Sequence, residues 1–198
     1  MIRNRQKQVY AFIDSQNLNV TVQKNGWKMD WKKFRAHLQD KYGVTKAFMF
    51  IGYVPEFEDM YQQLHESGYL IVLKPTFDMT RPRPDQSDTS ESGQEGKNPT
   101  NGKEKEEERK TKGNVDADLV LWAMKELPNY SQAIIVSGDG DFYSLVEYLE
   151  SRKKLLKLLT PSGHYSSLYN KYDAYVDRLD LSRRELSYRP SFRKRQPK

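Results

Sequence analysis

Short apolar runs alternate along this chain with stretches whose apolar residues recur every three to four positions. Val9, Tyr10, Ala11, Phe12 and Ile13 form the first run, which ends in Asp14. The runs at 47–51, 69–73, 133–136 and 155–159 repeat the pattern, and each reads as a buried strand. Between them lie helical periods. A short helix through 18–22 breaks at Asn25-Gly26. Asp30 caps a helix with Trp31, Phe34 and Leu38 on one face, stopped by Gly43. Pro55 opens a helix expected to turn Phe57, Met60, Tyr61 and Leu64 inward, closed by Gly68. Leu119, Val120, Trp122, Ala123, Met124 and Leu127 predict the next helix, and Phe142, Leu145, Val146 and Leu149 another. A last helix is expected after Ser166 or Ser167, burying Leu168, Tyr172, Tyr175, Val176 and Leu179. Strands that are apolar throughout, alternating with helices, predict an α/β fold. Its five-stranded, mainly parallel sheet is covered on both faces, in three layers α/β/α.

The alternation stops between Thr80 and Gly113, where there is no aliphatic, aromatic, alanine or methionine residue. Such a segment buries too little to offset its ordering entropy, so 80–112 is expected to be a disordered insertion in a single domain spanning 1–181. Its downstream end re-enters the fold just before an acidic stretch.

Charge then changes the picture at the C-terminus. The net charge is +6, and residues 182–198 hold seven Arg or Lys against one Glu, so this expected tail accounts for all of it. A polybasic segment attracts phosphate backbones, which makes Arg183, Arg184, Arg193, Lys194 and Arg195 candidate nucleic-acid contacts. From charge alone, a solvated end with no specific partner fits equally well. No apolar stretch has membrane-spanning length and no secretory signal follows the basic N-terminus. Cysteine is absent and the three histidines are far apart, which excludes thiolate and zinc-type sites and suits a cytoplasmic protein. The sequence is compatible with a homo-oligomer and does not fix the state.

The candidate chemistry lies in the acids that end strands. Asp14 closes the first strand. Ser137, Gly138, Asp139, Gly140 and Asp141 follow the fourth. Asp116 and Asp118 open the helix before it. In a doubly wound sheet, strand C-termini share one edge, and ligands bind where the strand order reverses. If the first and fourth strands are neighbours, Asp14 and Asp139 meet across that crevice, and Asp116 can reach it from its helix. Converging carboxylates repel unless a cation lies between them, and hard cations such as Mg²⁺ or Mn²⁺ take oxygen ligands. The Asp139–Asp141 stretch also has a plainer reading as a turn with Asp141 capping its helix, and Asp116 and Asp118 as partners of the helix dipole. Asn17, one turn beyond Asp14, can hold a water or a phosphate oxygen. His164 is a candidate proton shuttle at the same edge, and Tyr165 and Tyr169 could stack on bases. For these three, ordinary structural roles weigh more. Ser137 lacks a neighbouring His in sequence, no Gly-x-Ser-x-Gly is present, and Gly138 and Gly140 form no dinucleotide fingerprint.

Three segments also carry a resemblance: 12–18 (Phe-Ile-Asp-Ser-Gln-Asn-Leu), 112–116 (Lys-Gly-Asn-Val-Asp) and 137–142 (Ser-Gly-Asp-Gly-Asp-Phe). In kind and order they resemble the signature segments of the NYN domain family, LabA-like branch. The likeness extends over nearly all of 9–181 apart from the insertion. It implies a PIN-like α/β/α fold and metal-dependent ribonuclease chemistry. Asp14, Asp116, Asp139 and Asp141 would ligate Mg²⁺ or Mn²⁺, with Asn17 beside them. Lys112 would contact a phosphate, with a solvated lysine at a loop end as the equal alternative. Asp118 is left between a supporting role and a purely helical one. The chain departs from the family in having Ser15 where a Gly is common, and in its insertion.

The function expected is therefore hydrolysis of RNA phosphodiester bonds, with single-stranded RNA as partner, by a metal-activated water that the clustered aspartates hold. Two other readings stay open: a binding module on the same fold without turnover, and a metal-dependent phosphatase. Against the phosphatase, Asp14 is followed by Ser15 and Gln16 and so lacks an Asp-x-Asp motif.

Overall fold

The computed structural model describes residues 7–75 and 115–189. The expected insertion at 80–112, with Lys112, and the basic residues 193–195 lie outside the described residues.

The described residues form one six-stranded sheet in the order β3-β2-β1-β4-β5-β6, with every strand pairing parallel. In sequence the elements run β1 (Val9–Asp14), α1 (Ser15–Lys24), α2 (Trp31–Tyr42), β2 (Val44–Tyr53), α3 (Glu58–Glu66) and β3 (Tyr69–Pro75). They continue as α4 (Asp116–Lys125), β4 (Gln132–Val136), α5 (Tyr143–Ser151), β5 (Leu155–Thr160), β6 (Val176–Arg178) and α6 (Arg183–Leu186).

Alternate residues of the central strands feed two cores, which is what a sheet covered on both faces requires. Ala11 and Ile13 of β1 pack with Leu18, Phe34, Leu38 and Leu64 of α1, α2 and α3. Tyr10 and Phe12 pack on the other face with Leu119, Ala123, Leu145 and Leu149 of α4 and α5. Capping follows the sequence in the first half. Asp30 accepts a hydrogen bond from Lys33 N–H at 3.1 Å, and Gly43 ends α2 with φ 69°.

Three expectations are corrected. The sheet has six strands, not five. The extra one comes from the region expected to be a last helix, where 3₁₀ turns over Ser167–Tyr175 lead straight into β6. That strand is only three residues long and pairs Leu158, Leu159 and Thr160 with Val176, Asp177 and Arg178. Second, Phe57 and Met60 do not face inward. Pro55–Phe57 forms a 3₁₀ turn before α3, and only Tyr61 and Leu64 of the expected face are buried. Third, the basic tail does not begin at 182. Leu186 of α6 is 1% exposed in the first core, and Ser187 bridges to Met29. Among the described residues, no helix is long and apolar enough to cross a membrane.

Candidate active site

β1 and β4 are hydrogen-bonded neighbours, so the strand order reverses between them, and both end on the same edge. Asp14 is the last residue of β1 and caps α1: its Oδ1 accepts from Asn17 N–H at 3.0 Å. Its Oδ2 accepts from the Ser137 hydroxyl at 3.1 Å, just past the end of β4. Ser137 Oγ in turn accepts from Asp139 N–H at 3.1 Å, and Asp139 Oδ1 accepts from Asp141 N–H at 3.0 Å. Asn17 closes the ring, its Oδ1 accepting from Gly138 N–H at 3.0 Å. A chain of side-chain and backbone bonds thus ties the end of β1, the start of α1 and the acidic turn after β4 into one unit. Tyr169 locks the turn from below through its hydroxyl, which donates to the Asp139 carbonyl. Ser15 donates its hydroxyl to the Phe50 carbonyl at 2.6 Å and so fastens α1 to β2.

Asp14, Asn17, Asp116, Asp139 and Asp141 line a single cavity of about 490 Å³. All five candidate residues therefore meet, although they come from widely separated parts of the chain. Their charges are felt. Burial pushes the Asp14 carboxyl above the ordinary carboxylate range, and Asp139 pushes the same way; the Asn17 amide and the Ser137 hydroxyl oppose them. Asp116 is also raised, by burial first and then by Asp14, Asp139 and Asp141, with Lys74 pulling it back. The oxygen donors fit a hard divalent cation. As the side chains stand, no group of three or more His, Cys, Asp or Glu among the described residues is disposed to enclose a metal ion.

The remaining candidates divide. Asp118 is turned to a salt bridge with Lys74 at 3.1 Å and does not line the cavity. Tyr169 is fully buried, so it does not stack on a base. His164 and Tyr165 line an adjoining cavity of about 730 Å³ that shares Asn17, Asp139 and Asp141 with the first. Arg183 is committed elsewhere, its guanidinium donating to the Gly26 carbonyl at 2.8 Å, while Arg184 is exposed.

Two cations escaped the sequence reading. Lys24, on the last turn of α1, lines the acid cavity, and Lys74, at the end of β3, sits beside Asp116 and Asp118. A basic residue at the carboxyl end of a strand was the available signal for Lys74. For Lys24 it was the spacing Asn17, Val20, Thr21, Lys24, which sets one face of α1 over the cavity.

A three-layer parallel α/β domain whose strand ends gather aspartates at the switch point is the arrangement of the PIN-like fold. The chain belongs to the NYN domain family, whose profile matches residues 8–180. That family is generally nuclease-like. The chain is similar to the low amplitude and bright protein LabA of Synechococcus elongatus, at 22% identity over 182 residues, covering 89% of this chain and 87% of that one. A crystal structure of a protein of unknown function from Vibrio parahaemolyticus has the same fold. It matches with a TM-score of 0.66 at 20% identity, over 95% of this chain and all of the other.

Proposed function

We propose that the cavity at the ends of β1 and β4 hydrolyses phosphodiester bonds of single-stranded RNA with Mg²⁺ or Mn²⁺, in a cytoplasmic setting. The observation that carries this reading is the convergence of Asp14, Asp116, Asp139 and Asp141 on one cavity at the switch point, beside Asn17 and Lys24. Ions of this class keep several waters and need only one or two carboxylates besides the substrate's own phosphate. Bound there, a divalent ion would lower the pKa of a water and neutralise charge on the phosphate.

The chain's own groups do the positioning. Asp14 retains acceptor capacity, since a carboxylate offers about four acceptor sites, while its two bonds fix its rotamer. Asn17 accepts from Gly138 N–H through its carboxamide oxygen, and its Nδ2 hydrogens can donate to a phosphate oxygen. Lys24 supplies a positive charge at the cavity rim. Ser137 is an unsuitable nucleophile: it is fully buried, donates to Asp14 and accepts from Asp139. Water is then the attacking group, activated at the acids.

The test is incubation of the full chain with labelled single-stranded RNA and with a small phosphomonoester, each with Mn²⁺, Mg²⁺ or EDTA. RNA cleaved only with metal, and not by Asp139→Asn, is the expected result. Phosphate release from the monoester alone would assign a phosphatase. Metal-independent RNA binding without turnover would assign a binding module.

A further inference from the structure

A second concavity, of about 470 Å³, opens beside the acids between α1, α3 and the end of β2. It shares Gln16 and Val20 with the acid cavity, so the two adjoin along the sheet edge. Its walls include three large apolar side chains left open to solvent: Val20 at 42% exposure, Phe57 at 51% and Met60 at 38%. Trp31 stands half-buried behind them. Among the described residues lining it there is no Asp or Glu, and the one charged member is Lys28. An apolar, faintly positive groove thus abuts a strongly acidic cavity.

The occupant must have a flat apolar face for Phe57, Met60 and Trp31, and polar edges within reach of Gln16. With the neighbouring acid cavity read as a phosphate site, it is also attached to an anionic group that reaches that cavity. A nucleobase meets all three requirements. The volume lies within the roughly 300–1,000 Å³ of small-ligand clefts, enough for one nucleoside. A base can enter such a groove only when unstacked, which selects single strands over duplex. Taking the acid cavity as the cleavage site, we propose that this α1/α3 groove seats one nucleobase next to the scissile phosphate and stacks it on Phe57.

The test uses the full chain with Mg²⁺ and single-stranded RNA carrying 4-thiouridine at successive positions. It is cross-linked by long-wave light and mapped to peptides. The same RNA, and versions with one abasic nucleotide, are followed for cleavage. Cross-links are expected on the peptides holding Trp31, Phe57 or Met60. One abasic position should raise KM about tenfold with kcat held, the size of one base–aromatic stack. Phe57→Ala, at a half-exposed position whose folding is checked by its melting curve, should raise KM similarly on intact RNA and add little on that abasic RNA. Cleavage with cross-links only elsewhere, and a KM insensitive to both changes, overturns the groove and leaves the cleavage site standing. Cross-links in the groove without cleavage keep the base site and remove the nuclease. Neither cross-links nor cleavage removes both. An oligomer that Phe57→Glu dissociates, with no RNA cross-link, assigns the groove to a second copy of this chain and overturns the proposal.

Discussion

Ser137 Oγ and Asp14 Oδ2 stand 3.1 Å apart, a hydroxyl just past β4 donating to the carboxylate that ends β1. That bond favours the ionised form of an acid whose burial favours the neutral one. Ser137→Ala removes the donor and raises the Asp14 carboxyl further. A hydrogen bond to a charged group contributes about 1.5–3 kcal/mol, so cleavage should fall by about tenfold or more where Asp14 ionisation limits the rate. The acid limb of the pH–rate profile should move to higher pH, with less loss on the plateau. A profile that drops evenly at all pH values, with its limb unmoved, would show that Ser137 acts only by holding the turn.

Asp116 gives a prediction about stability. Its carboxyl is raised by burial and by Asp14, Asp139 and Asp141. A group with a raised folded pKa keeps its proton to higher pH in the fold than in the unfolded chain. Stability therefore falls as pH rises from the ordinary carboxylate range through the raised value, and the penalty is complete above it. Asp116→Asn removes that penalty. In EDTA at pH 8 its melting temperature should equal or exceed the parent's, and the advantage should vanish in acid. Mn²⁺ at about a hundredfold excess over its Kd should stabilise the parent by ~2.7 kcal/mol, and the variant by much less. A parent whose melting point ignores Mn²⁺ would count against cation binding at these acids.

Gly140 tests how tightly the acidic turn is held. A Cβ there would lie 2.5 Å from Ser166 Oγ, 3.1 Å from Ser166 Cβ and 3.2 Å from Leu168 Cδ1. Gly140→Ala should therefore displace the segment that follows β5, destabilise the domain by about 1–3 kcal/mol and weaken cleavage. Adding Ser166→Gly removes the two nearest atoms and should restore part of both losses. An alanine variant with parental melting and activity would mean that the segment moves aside freely.

The acid site was largely legible because it depends on features that are local in sequence. Apolar runs ending at Asp14 and just before Ser137 mark strand ends, while the adjacency of β1 and β4 and the reach of Asp116 from α4 depend on the fold. The misread parts are decided by distant partners. β6 has three residues and no strand pattern of its own. It is held by pairing to β5, and its Asp177 accepts from the Tyr42 hydroxyl at 2.8 Å and from the Lys157 ammonium at 3.0 Å. Phe57 fits an inward helical face by spacing, but Pro55 starts a 3₁₀ turn and rotates it outward. Arg183 reads as a free cation in a basic run, yet carbonyls of the loop after α1 take its guanidinium.

That last point changes where a truncation should fall. Deleting 182–198 would remove Leu186 from the core together with the Met29–Ser187 bridge. Loss of a buried leucine costs about 2–5 kcal/mol, so the melting point of such a protein should drop clearly. A chain ending at Arg189 keeps the packing of Leu186 and that bridge, and lacks Arg193, Lys194, Arg195 and Lys198, four of the basic residues and no acid. If these neutralise RNA phosphates, the slope of log affinity against log salt should shrink by up to ~0.7 for each single-strand phosphate left without its cation. Melting should be unchanged, and cleavage at low salt and saturating RNA should persist. An identical salt slope in the shorter chain would leave the exposed Arg184, with Lys24 and Lys28 beside the two cavities, as the basic residues to test next for backbone affinity.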